Sequence, residues 1–542
     1  MKRSAWVLVL LLIVVSCGSP GEDQTVIAAD GPPARGGTVV IGLLADVQNW
    51  NPYLVEDLDT EHVLALIYPS LAIEQTDYHR HPPSYEPSLA ESWSWSEDHL
   101  VLTIELDPDA SWADGVPITS RDVVFTWQVQ TSPEIDWLYG DGKEFIESIE
   151  AVSDHTVRVT YTHNYPYQFM DLNDGLIIPA HAWAGIPFDR WSETAWRDHV
   201  LGGGPFGLAG HTPQQEITLE RNPHYHRPGL PYLDQVVFRI VPSEQGLITQ
   251  LLAGDLDFVR SVNPTNIDRV RANTELQLVI YDDRSYTHIC WNTEKPLLAD
   301  PQIRLALTKA IDRDTLIDVV YGGFGRLGVG PVLSSFWAFN RDLASVPFDP
   351  NAARAAFNAA GWADTDGDGV LDKGGVDFAI ELLAPAENEL RQDLAILIQE
   401  DLKRVGVKAE PRFVEWGTLM AAMQDGGFDA LINGWEEPTQ IDLSGLWMSA
   451  PPDEPTFNFG RYSNPEVDRL LSEVGEMTDF ADQTPLFNRI QELIVADQPY
   501  TFLVENTRLT AHNSRIRNVE ANAATPYFDV DEWYVRTGPA KE

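Results

Sequence analysis

The run Asp364-Thr-Asp366-Gly-Asp368-Gly369 spaces its carboxylates as a cation loop does. Oxygen ligands at positions one, three and five, glycine at six and Asp372 at nine match a calcium loop. The bidentate glutamate that such a loop carries at position twelve is replaced by Gly375. A β-turn ahead of a hairpin is therefore the favoured expectation, and any calcium there would be structural. Two indoles offer another chemistry. Trp416 follows an expected strand that ends at Val414, and Trp435 follows one from Phe428 to Asn433. Carboxyl ends of strands in α/β sheets open onto ligand crevices, and tryptophan gives broad apolar contact with one polar handle. Nothing points to catalysis. Gly202-Gly203-Gly204-Pro205 lacks the lysine of a phosphate loop, and neither H-E-x-x-H nor G-x-S-x-G occurs. The expectation is a protein that is not an enzyme and needs no cofactor.

The elements around these residues alternate between strand and helix. Gly37 to Leu43 and Gln235 to Val241 read as strands. Val157 to Tyr161 alternates and should pair with the strand Leu100 to Leu106. Thr60 to Tyr68 reads as a helix. Another runs from Ser243 to Ala253 and stops at Gly254. Leu390 to Val405 is amphipathic and ends at Gly406, a strand should cover Val407 to Val414, and Pro485 to Ala496 reads as a helix before the strand from Tyr500. Asp300-Pro301 supplies an N-cap and a first helical residue, after which Ile303, Leu307, Ala310 and Ile311 share one face. Patterning alone gives an α/β chain of more than one domain.

The composition sets the setting. Among 542 residues, 37 basic side chains stand against 82 acidic ones, a net charge of −45. Such a surface repels nucleic acid and anionic membrane faces, so no nucleic-acid partner is expected. The excess reads first as a solubility adaptation and second as a preference for cationic solutes. The N-terminus reads as a processing segment: Lys2 and Arg3, then an apolar run from Ala5 to Val15 too short to span a bilayer. Val14-Val15-Ser16-Cys17 resembles a bacterial lipobox, with Cys17 lipidated and a polar tether following. Cleavage there would remove two positive charges and leave about −47. Cys290 is then the remaining thiol, in an alternating run that reads as a small buried side chain.

Four blocks, in order, carry a family resemblance. They are Pro87-Ser-Leu-Ala90-Glu91-Ser92-Trp93 with Trp112-Ala-Asp114-Gly115 and Asp122 to Trp127; Glu220-Arg221-Asn222-Pro223 with Leu252-Ala-Gly254-Asp255; Asn292 to Asp314; and Asp349-Pro350 through Gly361-Trp362. Together they resemble the family 5 extracellular solute-binding proteins of ABC importers, the peptide, nickel and oligosaccharide group. The resemblance implies an α/β, two-lobed periplasmic-binding-protein fold (type II, large three-domain form) with mixed sheets and a ligand cleft between the lobes. It implies these parts: a lipoprotein signal peptide 1–16; a tether 17–36; a discontinuous domain of 37–76, 185–283 and 501–542; an additional domain of 77–184; and a second lobe of 284–500. The chain would cross between lobes near Arg284 and near Tyr500.

The resemblance also implies that Trp416 and Trp435 line the cleft, with Trp50 and Asn51 in a loop bordering it. Peptide binders of the family carry an aspartate shortly after the tryptophan, paired with the peptide's α-ammonium. Here Trp435 runs into Glu436-Glu437-Pro-Thr-Gln-Ile-Asp442, with no aspartate in that place. Glu436, Glu437 or Asp442 would have to supply the carboxylate. The expected role is the substrate-binding component of an ABC importer: a monomer outside the cytoplasm, held to a membrane by its lipid, closing on a solute and presenting it to permease subunits. An oligopeptide is the favoured solute. An oligosaccharide is the alternative within the class, and a secreted glycoside hydrolase using paired carboxylates the alternative outside it.

Overall fold

A computed structural model of the chain describes residues 33–55, 57–449 and 456–536. The expected signal peptide, Cys17 and most of the tether lie outside the described residues. Two long antiparallel strands, Leu276–Trp291 and Tyr500–Asn513, form the spine. Their pairing runs from Leu276 opposite Asn513 to Cys290 opposite Tyr500, with register shifts between Asp282 and Tyr286 and between Thr287 and His288. On one side of the first shift the sheet continues through Phe258–Val259, Thr38–Leu43, Gln235–Ile240, Glu216–Arg221 and Phe206–Thr212. On the other it continues through Ala430–Glu436, Ala379–Pro385 and Lys408–Val414. The sheet is mixed: Thr38–Leu43 runs parallel to Gln235–Ile240, and Ala379–Pro385 parallel to Lys408–Val414, while Glu216–Arg221 and Ala430–Glu436 run antiparallel to their neighbours. Each half makes one lobe of a mixed α/β, two-lobed fold.

A separate antiparallel sheet orders Ala90–Trp95, Val101–Leu106, Thr156–Tyr161 and Ile146–Ala151 against the first lobe. The predicted pairing of Val157 to Tyr161 with Val101–Leu106 is present. Buried Trp112, Trp183, Trp191 and Trp533 fill the first lobe, which explains much of the tryptophan count. Trp93 and Trp127 pack on that core and Trp362 on the second-lobe core. Cys290 is buried, and burial pushes its thiol far above the ordinary range, so it serves as a small apolar side chain.

The helix signals work locally. Asp300 caps Pro301–Ala310 by accepting from the Gln302 amide, and Ile303, Leu307, Ala310 and Ile311 are all buried. Ser243 caps Glu244–Ala253, which closes on Gly254 in the left-handed region. One expectation shifts. The helix expected from Pro485 begins at Phe480, because Asp479 caps the Ala481 amide and outweighs the proline, which sits inside Phe480–Asp497. Trp416, which follows the strand Lys408–Val414 as expected, opens the helix Trp416–Asp425, since Glu415 accepts from the Gly417 and Thr418 amides.

One buried cation ties the second lobe together. Arg304 donates to the carbonyls of Leu298, Ala299, Asp497 and Gln498, joining its own helix to the entry of the strand at Tyr500. Its guanidinium replaces four separate solvating contacts in a place closed to water. Arg304→Met leaves those carbonyls unpaired and should lower second-lobe stability by about 3 kcal/mol, read from urea unfolding.

Candidate functional site

The strand Ala430–Glu436 carries the site to the seam between the lobes. Its register sets Trp435 opposite Tyr286 and Glu436 opposite Ser285, next to the shift that begins at Asp282. The chain leaves the sheet with the Glu437 amide donating to the Arg284 carbonyl at 2.6 Å. Trp435 is half-buried, stacked on Phe459 at 5.9 Å between centroids and meeting Phe457 edge-on at 5.8 Å. Beyond it, Glu437 turns inward. Its Oε1 is buried with no hydrogen-bond partner among the described residues, and so is the hydroxyl of Tyr286, which is 2% exposed. The two groups face one another closely enough for the Tyr286 hydroxyl to favour the ionised carboxylate, although neither reaches good hydrogen-bond geometry. Burial is the larger effect and, with the Asp442 charge, raises the Glu437 carboxyl to about 7.

Asp442 is committed elsewhere: its Oδ1 accepts from the Ser444 amide at 2.8 Å and the Ser444 hydroxyl at 2.5 Å. Glu436 is exposed and faces the first lobe, where it acts on Glu61 together with Asp174 and Asp57. Burial first, then these charges, lift Glu61 to about 7. Asp174 keeps an exposed side chain while protein surrounds its carboxyl, as on the wall of a covered cleft, and burial raises it. Its position is fixed from below. Lys143, 2% exposed, donates to the Asp174 carbonyl at 2.9 Å and to the Asp171 carbonyl. Gln130 holds the same Asp174 carbonyl at 2.9 Å and the Tyr53 hydroxyl at 3.2 Å. Gly175 is obligatory here, since a Cβ would stand 2.4 Å from Gln130 Nε2 and φ is +95°.

The lobes meet directly around this cleft. The Trp337 amide donates to the Tyr78 carbonyl at 2.9 Å, and the Tyr167 hydroxyl to the Ile441 carbonyl at 3.1 Å. Next to that seam Thr439 is 1% exposed, its hydroxyl unpartnered among the described residues and close enough to Glu74 to lower that acid's raised pKa. Glu74 Oε1 and Arg284 Nε are likewise buried without partners among those residues.

The remaining sequence candidates scatter. Trp50 and Asn51 are buried in the first-lobe core: Trp50 meets His211 edge-on at 5.2 Å, and the Asn51 side chain accepts from the Tyr53 amide at 2.9 Å. They shape the loop that leads to Tyr53 and so to Asp174. Trp416 is 44% exposed at the start of its helix. Asp364, Asp366 and Asp368 bring carboxylate oxygens within 4.8 Å of one another on an exposed turn. Asp372 is drawn away from them by the amide and hydroxyl of Thr365. Asp364 is occupied by the Gly367 and Gly369 amides. Sequence reasoning missed Glu61, Glu74, Asp174, Tyr286 and Thr439, which come from separate segments with no shared motif.

Residues 84–454 match the model of the bacterial extracellular solute-binding proteins, family 5. The chain belongs to this family. It is 29% identical over 537 residues to the oligopeptide-binding protein AppA of Bacillus subtilis, covering 97% of both chains, and 26% identical over 454 residues to heme-binding protein A of Haemophilus influenzae, covering 80% of this chain and 81% of that one. The structure of Bacillus subtilis AppA in complex with a nonapeptide superposes with a TM-score of 0.75 at 28% identity, over 94% of this chain and 100% of that one. The substrate-binding protein CtaP of Listeria monocytogenes gives 0.82 at 22% identity, over 93% of this chain and 100% of that one. This solute-binding protein is thus extracytoplasmic by family. No helix among the described residues is long and apolar enough to cross a membrane.

The raised carboxyl of Glu437 has a thermal signature. An acid lifted from 4.5 to about 7 on folding contributes most stability below the unfolded value and loses it as pH rises through the folded one. Glu437→Gln should therefore flatten the decline of Tm between about pH 5 and 7.5, raising Tm at the upper end by a few degrees. Calcium and EDTA should leave the Tm of the wild type unchanged, because all four loop aspartates already accept hydrogen bonds from the protein.

Proposed function

We propose that this chain captures an oligopeptide and delivers it to the permease of an ABC importer, with Glu437 as the anchor for the peptide's α-ammonium. The observation that carries the reading is the Glu437 carboxylate, directed into the seam with Oε1 unpartnered among the described residues, beside an equally unpartnered Tyr286 hydroxyl. An ammonium brings three donors and a positive charge to such a position, and an ion pair closed off from water needs both. Trp435, stacked on Phe459, supplies an apolar wall beside it. Asp442 adds a second negative charge near Glu437, which favours an incoming cation there, while it caps Ser444. The similarity to an oligopeptide-binding protein over nearly the whole chain supports the same reading.

The rest of the proposal follows the family architecture. Residues 37–76, 185–283 and 501–542 form one domain, 77–184 the additional domain and 284–500 the second lobe. Capture shifts the population toward the closed arrangement because the ligand touches both lobes. The protein acts as a monomer tethered through lipid on Cys17, and does not turn its solute over.

Native mass spectrometry of the protein from its own host should release a ladder of short peptides. Calorimetry with a synthetic pentapeptide should show Glu437→Gln weakening binding at least tenfold, about 1.4 kcal/mol, and N-acetylation of the peptide doing the same. An oligosaccharide in the mass spectrum, or indifference to acetylation, would overturn the peptide reading.

A further inference from the structure

The two shared strands are not the only tie between the lobes. The hairpin loop between Ala72–Glu74 and Tyr85–Pro87 carries Tyr78. This loop is closed on itself: the Gln75 amide donates to the Ser84 carbonyl at 2.9 Å, and the Ser84 hydroxyl to Asp77 at 3.1 Å. Tyr78 leaves its own lobe and is buried among second-lobe side chains, where it meets Phe336 edge-on at 5.2 Å. Its carbonyl accepts from the Trp337 amide. Tyr167, at the start of the helix Gln168–Asn173, makes a second crossing. Its hydroxyl donates to the Ile441 carbonyl, and its ring lies 5.7 Å from that of Phe480.

The receiving side is held in place before the first lobe meets it. Trp337 sits between Phe480 at 5.5 Å and Phe487 at 6.1 Å, edge-on to both. The strap from Val332 to Asn340, which carries Phe336 and Trp337, is fastened at both ends. Gln491 donates to the Ala338 carbonyl at 2.8 Å and accepts from the Asn340 amide at 3.0 Å, while Glu505 accepts from the Ser334 amide at 3.1 Å. Glu505 stands opposite Tyr286, where the shared strands lose register. Ile441 lies on the turn that begins with Glu437. The contact is thus tied to the register shift through Glu505 and to the candidate anchor through that turn. Tyr167, Trp337 and Phe480 stay half-buried, as surface groups meeting across a seam do. An interface of this kind within one chain is open to separation.

We infer that, given the two-lobe capture proposed above, Tyr78 and Tyr167 form with the strap a latch that favours closure before the solute arrives. They are positioning residues, acting on the solute through the angle between the lobes. Both polar bonds of the latch are completed between the lobes themselves, so closing it needs nothing from the ligand. A solute that is held only by the closed arrangement has its apparent affinity reduced by the fraction of free protein that is closed. A hydrogen bond or ring pair of this kind shifts that equilibrium by roughly a factor of two to ten. Weakening the latch therefore weakens the binding of every solute by one common factor and leaves the preference among solutes unchanged.

The test compares the whole protein with Tyr167→Phe, which removes only the hydroxyl, with Tyr78→Ala, and with the double variant. Small-angle X-ray scattering of the solute-free wild type should fit the closed arrangement. The radius of gyration should rise in each variant and most in the double one, with Tm within about 2 °C of the wild type because the open protein keeps both cores. Calorimetry with pentaalanine and with Ala-Ala-Phe-Ala-Ala should show the double variant weakening both peptides by the same factor, at least about threefold. Tyr167→Phe keeps its ring, so it carries the test if Tyr78→Ala misfolds. A solute-free wild type already as open as the variants overturns the latch. A loss that differs between the two peptides also overturns it, because these side chains would then be ligand contacts. Should neither peptide bind the wild type, the peptide reading fails, and the scattering still decides the latch.

Discussion

Both lobes depend on two shared strands. Leu276–Trp291 and Tyr500–Asn513 pair along most of their length, so one hydrogen-bonded ladder belongs to both halves of the protein. The ladder loses register between Asp282 and Tyr286, opposite Glu505 to Thr507. A register shift removes ladder bonds and adds local twist, and here it falls where the sheet passes from one core to the other. The candidate turn lies at that irregularity: the Glu437 amide donates to the Arg284 carbonyl, Tyr286 faces Glu437, and Asn506 reaches Ser285 at 2.8 Å. The turn that carries Glu436 and Glu437 is thereby attached directly to the strands that both lobes share.

The elements were legible in the sequence because their signals are local. Asp300-Pro301, Ser243 with Gly254, and the alternation of Val157 to Tyr161 each decide their structure within a few residues. Trp435 was placed from the sequence because strand ends face crevices, and it does stand at a strand end by the seam. Where local rules competed, the simpler one lost: the Asp479 cap overrode Pro485 as the start of its helix. Trp50, which the resemblance placed in a loop bordering the cleft, is buried in the first-lobe core against His211. The acids of the first lobe could not be found in this way. Glu61, Glu74 and Asp174 lie on a helix, a short strand and a turn, and only the tertiary fold makes them neighbours.

The overall charge of −45 and the charge of the cleft are separate matters. Most of the excess sits on exposed faces, where solvent screens it. In the seam, burial and mutual repulsion lift Glu61 and Glu437 to about 7, so the acids there are poised to respond to an arriving charge.

The continuous sheet has two ends, and they fall in different lobes: Lys408–Val414 at one, Phe206–Thr212 at the other. An open edge is a template for another chain. Along the first, Lys408 pairs with Glu410 at 2.7 Å, Arg412 with Glu381 at 2.5 Å, and Pro411 offers no amide. Along the second, the register slips between Leu208 and Gly210. Charge and proline at one margin and a bulge at the other discourage a neighbouring molecule from extending the sheet, so a protein that must open and close repeatedly does so without offering either edge to aggregation.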